Sequence, residues 1–193
     1  NLIETRRTIY GLDSTLPTSE QQIEELVAHA VKHCPSAFNS QSARVVVLFG
    51  AASQQVWSIT KENLRQLVPA ESFASTEARI DGFAGGAGTI LFFEDQSVVE
   101  HLMEQFALYA QNFPVWSEQS SGMLQFAIWT GLAEHGVGAS LQHYNEVIAE
   151  DVAKAFDIPN NWKLIAQMPF GSIETPASEK QFQPLDTRFR VIR

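Results

Sequence analysis

Apolar positions along the chain recur in two spacings, which predict helices alternating with buried strands. The stretch from Ile23 to Val31 is apolar at positions three and four residues apart, as in an amphipathic helix, and Thr18 with Gln21 fits a capping box in front of it. The run from Val45 to Phe49 is apolar throughout, which is typical of a strand covered on both faces. The first part of the chain is therefore predicted to be a helix, a polar loop and a strand.

The same alternation continues through the rest of the chain. A helical region over 53–80, interrupted near Pro69, is followed by glycines and a second buried strand, "TILFFED". A helix is predicted over 96–112, and segment 119–135 is apolar almost all round, which indicates a helix buried in the domain or at a subunit interface. A short strand in "ASLQHYN", a helix over 146–156 and the strand "KLIAQMPFG" come next. The tail from Ile173 to Arg193 is expected to be extended.

Helices on both sides of a sheet predict an α+β sandwich. The chain has 193 residues and no repeat or linker, so we expect a single domain over 1–193. The net charge of −9 argues against binding to nucleic acid or to an anionic membrane surface. No apolar run approaches the roughly 20 residues of a membrane span, and no signal-peptide core is present. A single cysteine excludes an internal disulfide and favours a cytoplasmic location.

Several catalytic templates are missing. "GVGASL" and "GGAGTI" do not fit a dinucleotide-binding turn, and the chain has no G-x-S-x-G segment. His29 and His33 are predicted to lie on a solvated helix face rather than to bind a metal. Glu94 and Asp95 are predicted to form a capped, solvated turn rather than a carboxylate dyad. Cys34 is expected to be a small buried residue rather than a nucleophile.

Three clusters of polar or basic side chains remain as candidates for binding. Arginine and lysine suit a phosphate, whereas neutral amides and hydroxyls suit a polyol or the edge of a heterocycle. From the residues alone, two interpretations stay open: one ligand with phosphate, polyol and ring uses all three clusters, or the clusters are separate surface features. The clusters are Arg6 with Arg7, the loop Ser36–Gln41, and Lys180 with Arg188 and Arg190.

The order of sequence blocks along the chain resembles the FMN-dependent nitroreductase family. The blocks are "RRTIYGL", "PSAFNSQSARVVVLFG", "GTILFFEDQ", "FPVWSEQSSGMLQFAIWTGLAEHGVGASLQHYN" and "WKLIAQMPFG". They cover about Thr5 to Lys180 and are most similar to the compact bacterial and fungal branch with "FFEDQ" and "LQHYN". The resemblance implies a three-layer sandwich with a central, mostly antiparallel sheet flanked by helices. It also implies a homodimer that holds FMN in two equivalent clefts at the subunit interface.

The resemblance also implies contacts to the phosphate and ribityl chain of FMN. Arg6 and Arg7 correspond to the arginine pair of the family, and Thr8 stands where relatives often have serine, so the hydroxyl is kept. A basic residue in the tail usually meets the phosphate, and we expect this to be Lys180 rather than Arg188.

Contacts to the flavin ring are implied at three further places. Leu141, Gln142 and His143 correspond to a block beside flavin N5 and O4, although His143 has an equal alternative as a turn imidazole bonded to backbone. Arg79 is the nearest candidate for the polar or basic residue that relatives place below the flavin pyrimidine. The loop that reaches the flavin of the partner subunit corresponds to Pro35, Ser36, Asn39 and Gln41.

The implied activity is ping-pong transfer of hydride from NADH or NADPH through flavin N5 to nitroaromatic or quinone-type acceptors, in a role under oxidative or xenobiotic stress. No side chain acts as a catalyst, because the cofactor carries the chemistry. Phe113 and Trp116 are candidates for stacking on a small aromatic acceptor, with core packing as the alternative for Trp116. Two other readings stay open: a flavin-binding redox sensor without turnover, and a structural dimer that has lost flavin.

Overall fold

The chain folds into one five-stranded sheet with seven α-helices around it, in a computed structural model that describes residues 1–193. The strands are β1 (Gly11–Asp13), β2 (Ala43–Phe49), β3 (Gly88–Asp95), β4 (Gly138–Ala139) and β5 (Trp162–Thr175). The α-helices are α1 (Leu2–Thr5), α2 (Glu20–His33), α3 (Gly50–Leu67), α4 (Phe73–Ala84), α5 (Gln96–Gln105), α6 (Phe113–Glu134) and α7 (Asn145–Phe156). Short 3-10 turns occur at Ala37–Asn39, Ala70–Ser72, Ala107–Asn112 and Leu185–Thr187.

The sheet has the order β1-β5-β3-β2, with β4 also paired to β5, and every strand pairing is antiparallel. All residues of the central strand β3 are buried, which explains why its sequence is apolar almost without interruption. Side chains alternate across β3. Ile90 and Phe92 pack with α2 and α6, whereas Leu91 and Phe93 pack with α3 and α7. The predicted α+β sandwich, with helices on both faces of an antiparallel sheet, is confirmed.

The start of α2 differs from the prediction by one residue. Ser19, not Thr18, is the N-cap, and its capping-box partner is Gln22 rather than Gln21. The Gln22 N–H donates to Ser19 Oγ at 3.2 Å, and the Ser19 N–H donates to Gln22 Oε1 at 3.1 Å. The Thr18 hydroxyl also donates to Gln22 Oε1, at 2.5 Å. Two hydroxyl residues in succession both fit a cap, and the sequence does not distinguish them.

The two helices predicted on either side of the FPVWSEQ segment also have different limits, and the segment itself forms the start of α6. The predicted helix 96–112 ends at Gln105, because Phe106 leaves the helical region with φ −123° and ψ 61°. A 3-10 turn then leads to α6, which begins at Phe113 instead of residue 119. Pro114 lies in the first turn of α6. A backbone N–H at that position would have no acceptor within the helix, so proline is tolerated there. None of the helices is long and apolar enough to cross a membrane.

Candidate functional site

A groove lined by basic side chains lies where the amino-terminal segment, β1, α4 and the carboxy-terminal tail meet. Two adjoining cavities of about 520 and 560 Å³ form it, and both are lined by Tyr10, Gly11 and Thr175. The pairing of β1 with β5 sets Gly11 opposite Thr175 and so brings the tail beside the residues that precede β1. We call this region the cationic groove after its four basic residues, Arg6, Arg7, Arg79 and Lys180.

Two glycines shape the cationic groove. A Cβ atom on Gly11 would lie 2.6 Å from Thr175 Cβ, so only glycine lets the two strands approach this closely. Gly82, on α4, lines the cavity of about 560 Å³, and a Cβ atom there would meet no atom within 4 Å. A side chain at position 82 would therefore project into open space in the groove rather than into the protein.

The basic residues of the groove have no acidic partners. None of the four forms an ion pair within the chain, although acidic residues outnumber basic ones by 22 to 13. Glu179 lines the cavity that contains Arg6, Arg7 and Lys180, but it forms no ion pair with these residues or with Arg79. The groove therefore concentrates uncompensated positive charge on an acidic protein, which favours an anionic ligand.

Arg6 has the most constrained position of the four. Its guanidinium lies 4.3 Å from the ring centroid of Trp129 and 5.9 Å from that of Phe126, both on α6. Arg6 Nε is buried and has no hydrogen-bond partner. Burial, and then the neighbouring charge of Arg7, lowers the pKa of Arg6. An anion bound beside Arg6 would meet the accessible part of the guanidinium and offset the repulsion from Arg7.

Arg7 fastens the tail to the amino-terminal segment. Its Nη2 atom donates a hydrogen bond to the Ser178 carbonyl at 2.5 Å. Lys180, two residues further along, is exposed, and its ammonium lies 5.3 Å from the Phe182 ring centroid. Arg188 lies in an exposed part of the tail and does not line the groove. The structure thus brings Arg6, Arg7, Thr8 and Lys180 together at one end.

The block at residues 141–143 contributes one side chain to the other end of the groove. Gln142 pairs with Gln167 of β5 through both backbone hydrogen bonds, at 2.7 and 2.9 Å, so its position is fixed by the sheet. Its side chain donates to Ser140 Oγ at 3.0 Å and lines the groove together with Arg79. Leu141 packs against the core, and His143 is exposed without a hydrogen bond, so the backbone contact considered for His143 is not formed.

The loop Ser36–Gln41, which we call the polar loop, has an unusual backbone. Phe38, Asn39 and Gln41 all lie in the left-handed region, with φ values of 57°, 51° and 50°. Four side-chain to backbone bonds hold the loop, one of them from Gln41 Nε2 to the Asn39 carbonyl at 3.4 Å. The Gln41 N–H donates to Ser36 Oγ at 2.9 Å, and the Ala37 N–H donates to Ser120 Oγ at 3.4 Å. Arg44 Nη1 donates to the Gln41 carbonyl at 2.8 Å.

The polar loop and the cationic groove lie at opposite ends of β3. Ser42, directly after the loop, contacts Glu94 at one end of the strand. The Thr175 end of the groove lies beyond the other end, because β5 pairs with Gly88 at Phe170 and reaches Thr175 only afterwards, whereas Gln142 pairs with Gln167 opposite Leu91. The eight residues of β3 span roughly 23 Å at about 3.3 Å per step. No side chain covers that distance, so one chain does not bring its own loop to the Thr175 end of its own groove.

The Glu94–Asp95 pair is not a solvated turn, which corrects the prediction. Glu94 is 1% exposed, and its Oε2 atom accepts hydrogen bonds from Ser42 Oγ at 2.5 Å and Ser117 Oγ at 2.6 Å. Its other oxygen, Oε1, is buried without a partner. Burial raises the pKa of Glu94, although the two hydroxyls partly oppose the shift. Glu94 thus joins β3 to the end of the polar loop and to α6.

Asp95 forms the predicted cap but is 7% exposed. Its Oδ1 atom accepts from the Ser97 N–H at 3.0 Å at the start of α5, and Arg44 pairs with Oδ2 at 2.8 Å. Burial opposes ionisation, but hydrogen bonds from Ser97 and Asn161 and the charge of Arg44 outweigh it. The pKa of Asp95 consequently lies below its ordinary value.

An aromatic cluster adjoins the polar loop and contains both predicted acceptor contacts. Phe113 is 3% exposed and half-buried Trp116 is its T-shaped neighbour, with centroids 5.3 Å apart. Phe38 covers both rings from outside, at 5.2 and 5.8 Å. Sequence reasoning did not single out Phe38, although it is the only large apolar side chain in the polar loop.

The histidine pair on α2 is exposed, as predicted. The rings of His29 and His33 lie 4.4 Å apart and border a surface cavity with Cys34 and His135. No three His, Cys, Asp or Glu side chains are arranged to hold a metal ion. Cys34 is half-buried, and burial raises the pKa of its thiol, which disfavours the nucleophilic thiolate.

Comparison with known proteins gives a consistent result. The Nitroreductase family model matches residues 3–172. The chain is 35% identical over 182 residues to the Saccharomyces cerevisiae protein HBN1, with 93% of this chain and 90% of that protein covered. It is 31% identical over 185 residues to nitroreductase FRM2 from the same organism, with 94% of this chain and 91% of that protein covered.

Solved structures extend the comparison to three dimensions. The nitroreductase CinD from Lactococcus lactis in complex with nicotinic acid is 49% identical with a TM-score of 0.93, over 100% of this chain and 98% of that one. The family resemblance of the sequence blocks is therefore confirmed, and the chain belongs to the nitroreductase family.

Proposed function

We propose that the cationic groove binds FMN and that the protein is an NADH- or NADPH-dependent oxidoreductase that reduces nitroaromatic or quinone-type acceptors. The observation that carries this proposal is the cluster of four unpaired basic residues in the groove of an acidic chain. The charge of Arg7, which together with burial lowers the pKa of Arg6, adds a reason for an anion at the same place. A flavin mononucleotide has a phosphate dianion for one end of such a groove and a polar ring edge for the other.

Each end of the groove fits a part of FMN. Arg6, Arg7 and Lys180 would hold the phosphate through charge-assisted hydrogen bonds, and the Thr8 hydroxyl would serve the phosphate or the ribityl chain. Gln142 would offer its amide to the ring edge from a position fixed by β5. Arg79 lies at the same end and would place a positive charge beside the pyrimidine half of the ring.

A second copy of the chain would complete the site. The polar loop lies too far from the groove of its own chain along β3, so we infer that it serves the groove of a partner. Large apolar side chains are exposed on α6, where Met123 and Phe126 are each 44% exposed. The tail exposes five more: Phe182, Leu185, Phe189, Val191 and Ile192. This many exposed large apolar side chains favour association, and we propose a homodimer.

The chain itself would bind and orient the reactants. Bound FMN supplies hydride transfer between the nicotinamide donor and the acceptor. The side chains of the site include no activated nucleophile, and the half-buried Cys34 thiol has a raised pKa. The 49% identical CinD has been solved in complex with nicotinic acid, chloramphenicol and 4-nitrophenol. We therefore propose small, flat aromatic molecules, nitroaromatics among them, as the substrates of this protein.

The visible absorption spectrum of the purified protein tests the proposal. We expect a yellow protein that releases FMN, not FAD, on denaturation, because nothing in the groove is shaped for an adenylate. Anaerobic addition of NADH or NADPH should bleach the flavin, and menadione or nitrofurazone should restore the colour at a catalytic rate. A protein that holds no flavin after reconstitution refutes the proposed cofactor. Flavin that bleaches without turnover supports a redox sensor instead.

A further inference from the structure

Phe38 occupies a backbone conformation that costs free energy for its residue type. Left-handed φ values are uncommon outside glycine, and a bulky residue there is a genuine outlier. The polar loop contains three such residues and no glycine. Backbone strain of this kind persists only where surrounding contacts impose it, and it is concentrated at ligand-binding sites. The bonds from Ser36, Arg44 and Ser120 supply those contacts.

The strained backbone presents the Phe38 ring on the protein surface. The side chain is 50% exposed, although its neighbours in the loop are all small or polar. Its inner side packs on the aromatic cluster: Phe106 at 5.0 Å, Phe113 at 5.2 Å and Tyr109 at 6.1 Å. Trp116 lies nearly parallel to it, with an interplanar angle of 20° and a centroid distance of 5.8 Å. One side of the ring is thus fixed, and the rest remains free to contact a ligand.

We propose that Phe38 determines acceptor specificity, because its exposed ring stacks on the aromatic ring of a nitroaromatic or quinone in the flavin cleft of the partner subunit. This inference rests on the proposed function. Ser36, Asn39 and Gln41 are the loop residues assigned to that cleft, and Phe38 projects from the same turn. Phe113 and Trp116 then act from behind, by holding the Phe38 ring in place, and do not touch the acceptor themselves.

Stacking and simple packing make different demands on position 38. If Phe38 only shielded the cluster beneath it, any apolar side chain of similar size would serve, and leucine would do so without an aromatic face. If Phe38 stacks on the acceptor, its aromatic face is required, since offset stacking depends on the π-system of both partners. Tyrosine keeps that face and leucine removes it. The two substitutions therefore separate the roles.

The test uses the FMN-loaded homodimer with two readouts. The first is the Kd of nicotinic acid from the perturbation of flavin absorbance. The second is kcat/KM for nitrofurazone relative to ferricyanide, which has no aromatic ring. We expect Phe38→Leu to raise that Kd and to lower the relative kcat/KM by roughly three- to tenfold. Phe38→Tyr should retain wild-type values, and all variants should keep their FMN.

Phe156→Leu is the matched control, because it makes the same chemical change at a half-buried phenylalanine on α7, outside the aromatic cluster that holds Phe38. It should alter stability without altering selectivity. Equal losses in Phe38→Leu and Phe156→Leu, or equal losses for nitrofurazone and ferricyanide, overturn the inference. Phe38→Asn suits a left-handed backbone and replaces the leucine variant if that fails to fold. A wild-type protein without flavin refutes the proposed function and this inference together, whereas unchanged selectivity in flavin-loaded variants refutes only this one.

Discussion

The cationic groove and the polar loop lie at opposite ends of β3 and are assembled from the sequence in different ways. The groove gathers residues 6–8, 79, 142 and 180, which are distant in sequence, and its special property is unpaired positive charge. The loop is one continuous turn with no charged residue, and its special property is a left-handed backbone at three positions. The first arrangement suits an anion and the second suits a neutral, flat partner.

The contrast would let one acidic chain bind a ligand with two chemically different halves, as proposed for FMN. Charge–charge attraction tolerates modest positional error, so flexible arginine and lysine side chains can bind a phosphate from an open groove. Stacking and neutral hydrogen bonds weaken steeply with misalignment. The loop is accordingly held by side-chain to backbone bonds and by the buried contact between Ser42 and Glu94.

The largest effect is expected from removing charge in the groove. The double variant Arg6→Ala/Arg7→Ala loses charge-assisted hydrogen bonds worth about 1.5–3 kcal/mol each, so FMN binding should weaken by at least roughly 100-fold. Riboflavin, which has no phosphate, should lose much less affinity. Flavin titrations of the apoprotein measure both. Arg65→Ala is the control, because Arg65 pairs with Glu77 and does not line the groove. Equal losses for FMN and riboflavin would show that these arginines do not bind the phosphate.

The second prediction concerns the buried carboxyl group that holds the end of the loop. Glu94→Ala leaves the Ser42 and Ser117 hydroxyls without their acceptor and creates a cavity, so we expect a loss of about 2–3 kcal/mol in the free energy of unfolding. Urea unfolding at fixed protein concentration provides the measurement. A loss below 0.5 kcal/mol, the size typical of a surface substitution, would contradict the buried position.

The pH dependence of Glu94 has a defined sign. Because burial raises its pKa in the folded protein, the folded state binds the proton more tightly than the unfolded state. The contribution of Glu94 to stability is full below the ordinary pKa of glutamate and is lost as the pH rises through the raised value. Glu94→Gln should remove this dependence and be at least as stable as the wild type at pH 8. A steeper loss of stability with pH in Glu94→Gln than in the wild type would refute the assignment.

Buried strands can be predicted from the local sequence, whereas side chains that come together from distant parts of the chain cannot. The strand β3 was predicted from "TILFFED" because a strand covered on both faces must be apolar nearly throughout. The burial of Glu94 could not be predicted from the local sequence, since its hydrogen-bond partners Ser42 and Ser117 are 52 and 23 residues away. Phe38 was overlooked for a related reason: a single apolar residue in a polar loop carries no periodicity. Grouping Arg79 with Arg6 required the family resemblance.

A mixed dimer tests whether the two halves of the site belong to different chains. The loop variant Asn39→Gly/Gln41→Gly keeps the left-handed backbone without its side chains and should weaken FMN binding by about tenfold. Combined with an Arg6→Ala/Arg7→Ala subunit, it gives one site with both defects and one site with neither. Half of the sites in the mixed dimer should therefore bind FMN with wild-type affinity. If loop and groove served the same site within one chain, every site would carry one defect and none would recover.

The smallest effect is expected at the edge of the groove. Lys180 and Arg188 are the two candidates for the phosphate ligand in the tail. Lys180 lines the groove and follows the anchored Ser178, whereas Arg188 lies further along an exposed segment. Because Lys180 is solvent-exposed, salt and side-chain entropy reduce its contribution, so Lys180→Ala should weaken FMN binding by only roughly two- to fivefold. The loss should shrink in high salt, while riboflavin binding stays constant. Arg188→Ala, with the same change of charge, should leave FMN binding unaltered at every salt concentration. The reverse ranking of the two variants would place Arg188 at the phosphate and would require the tail to fold back over the groove.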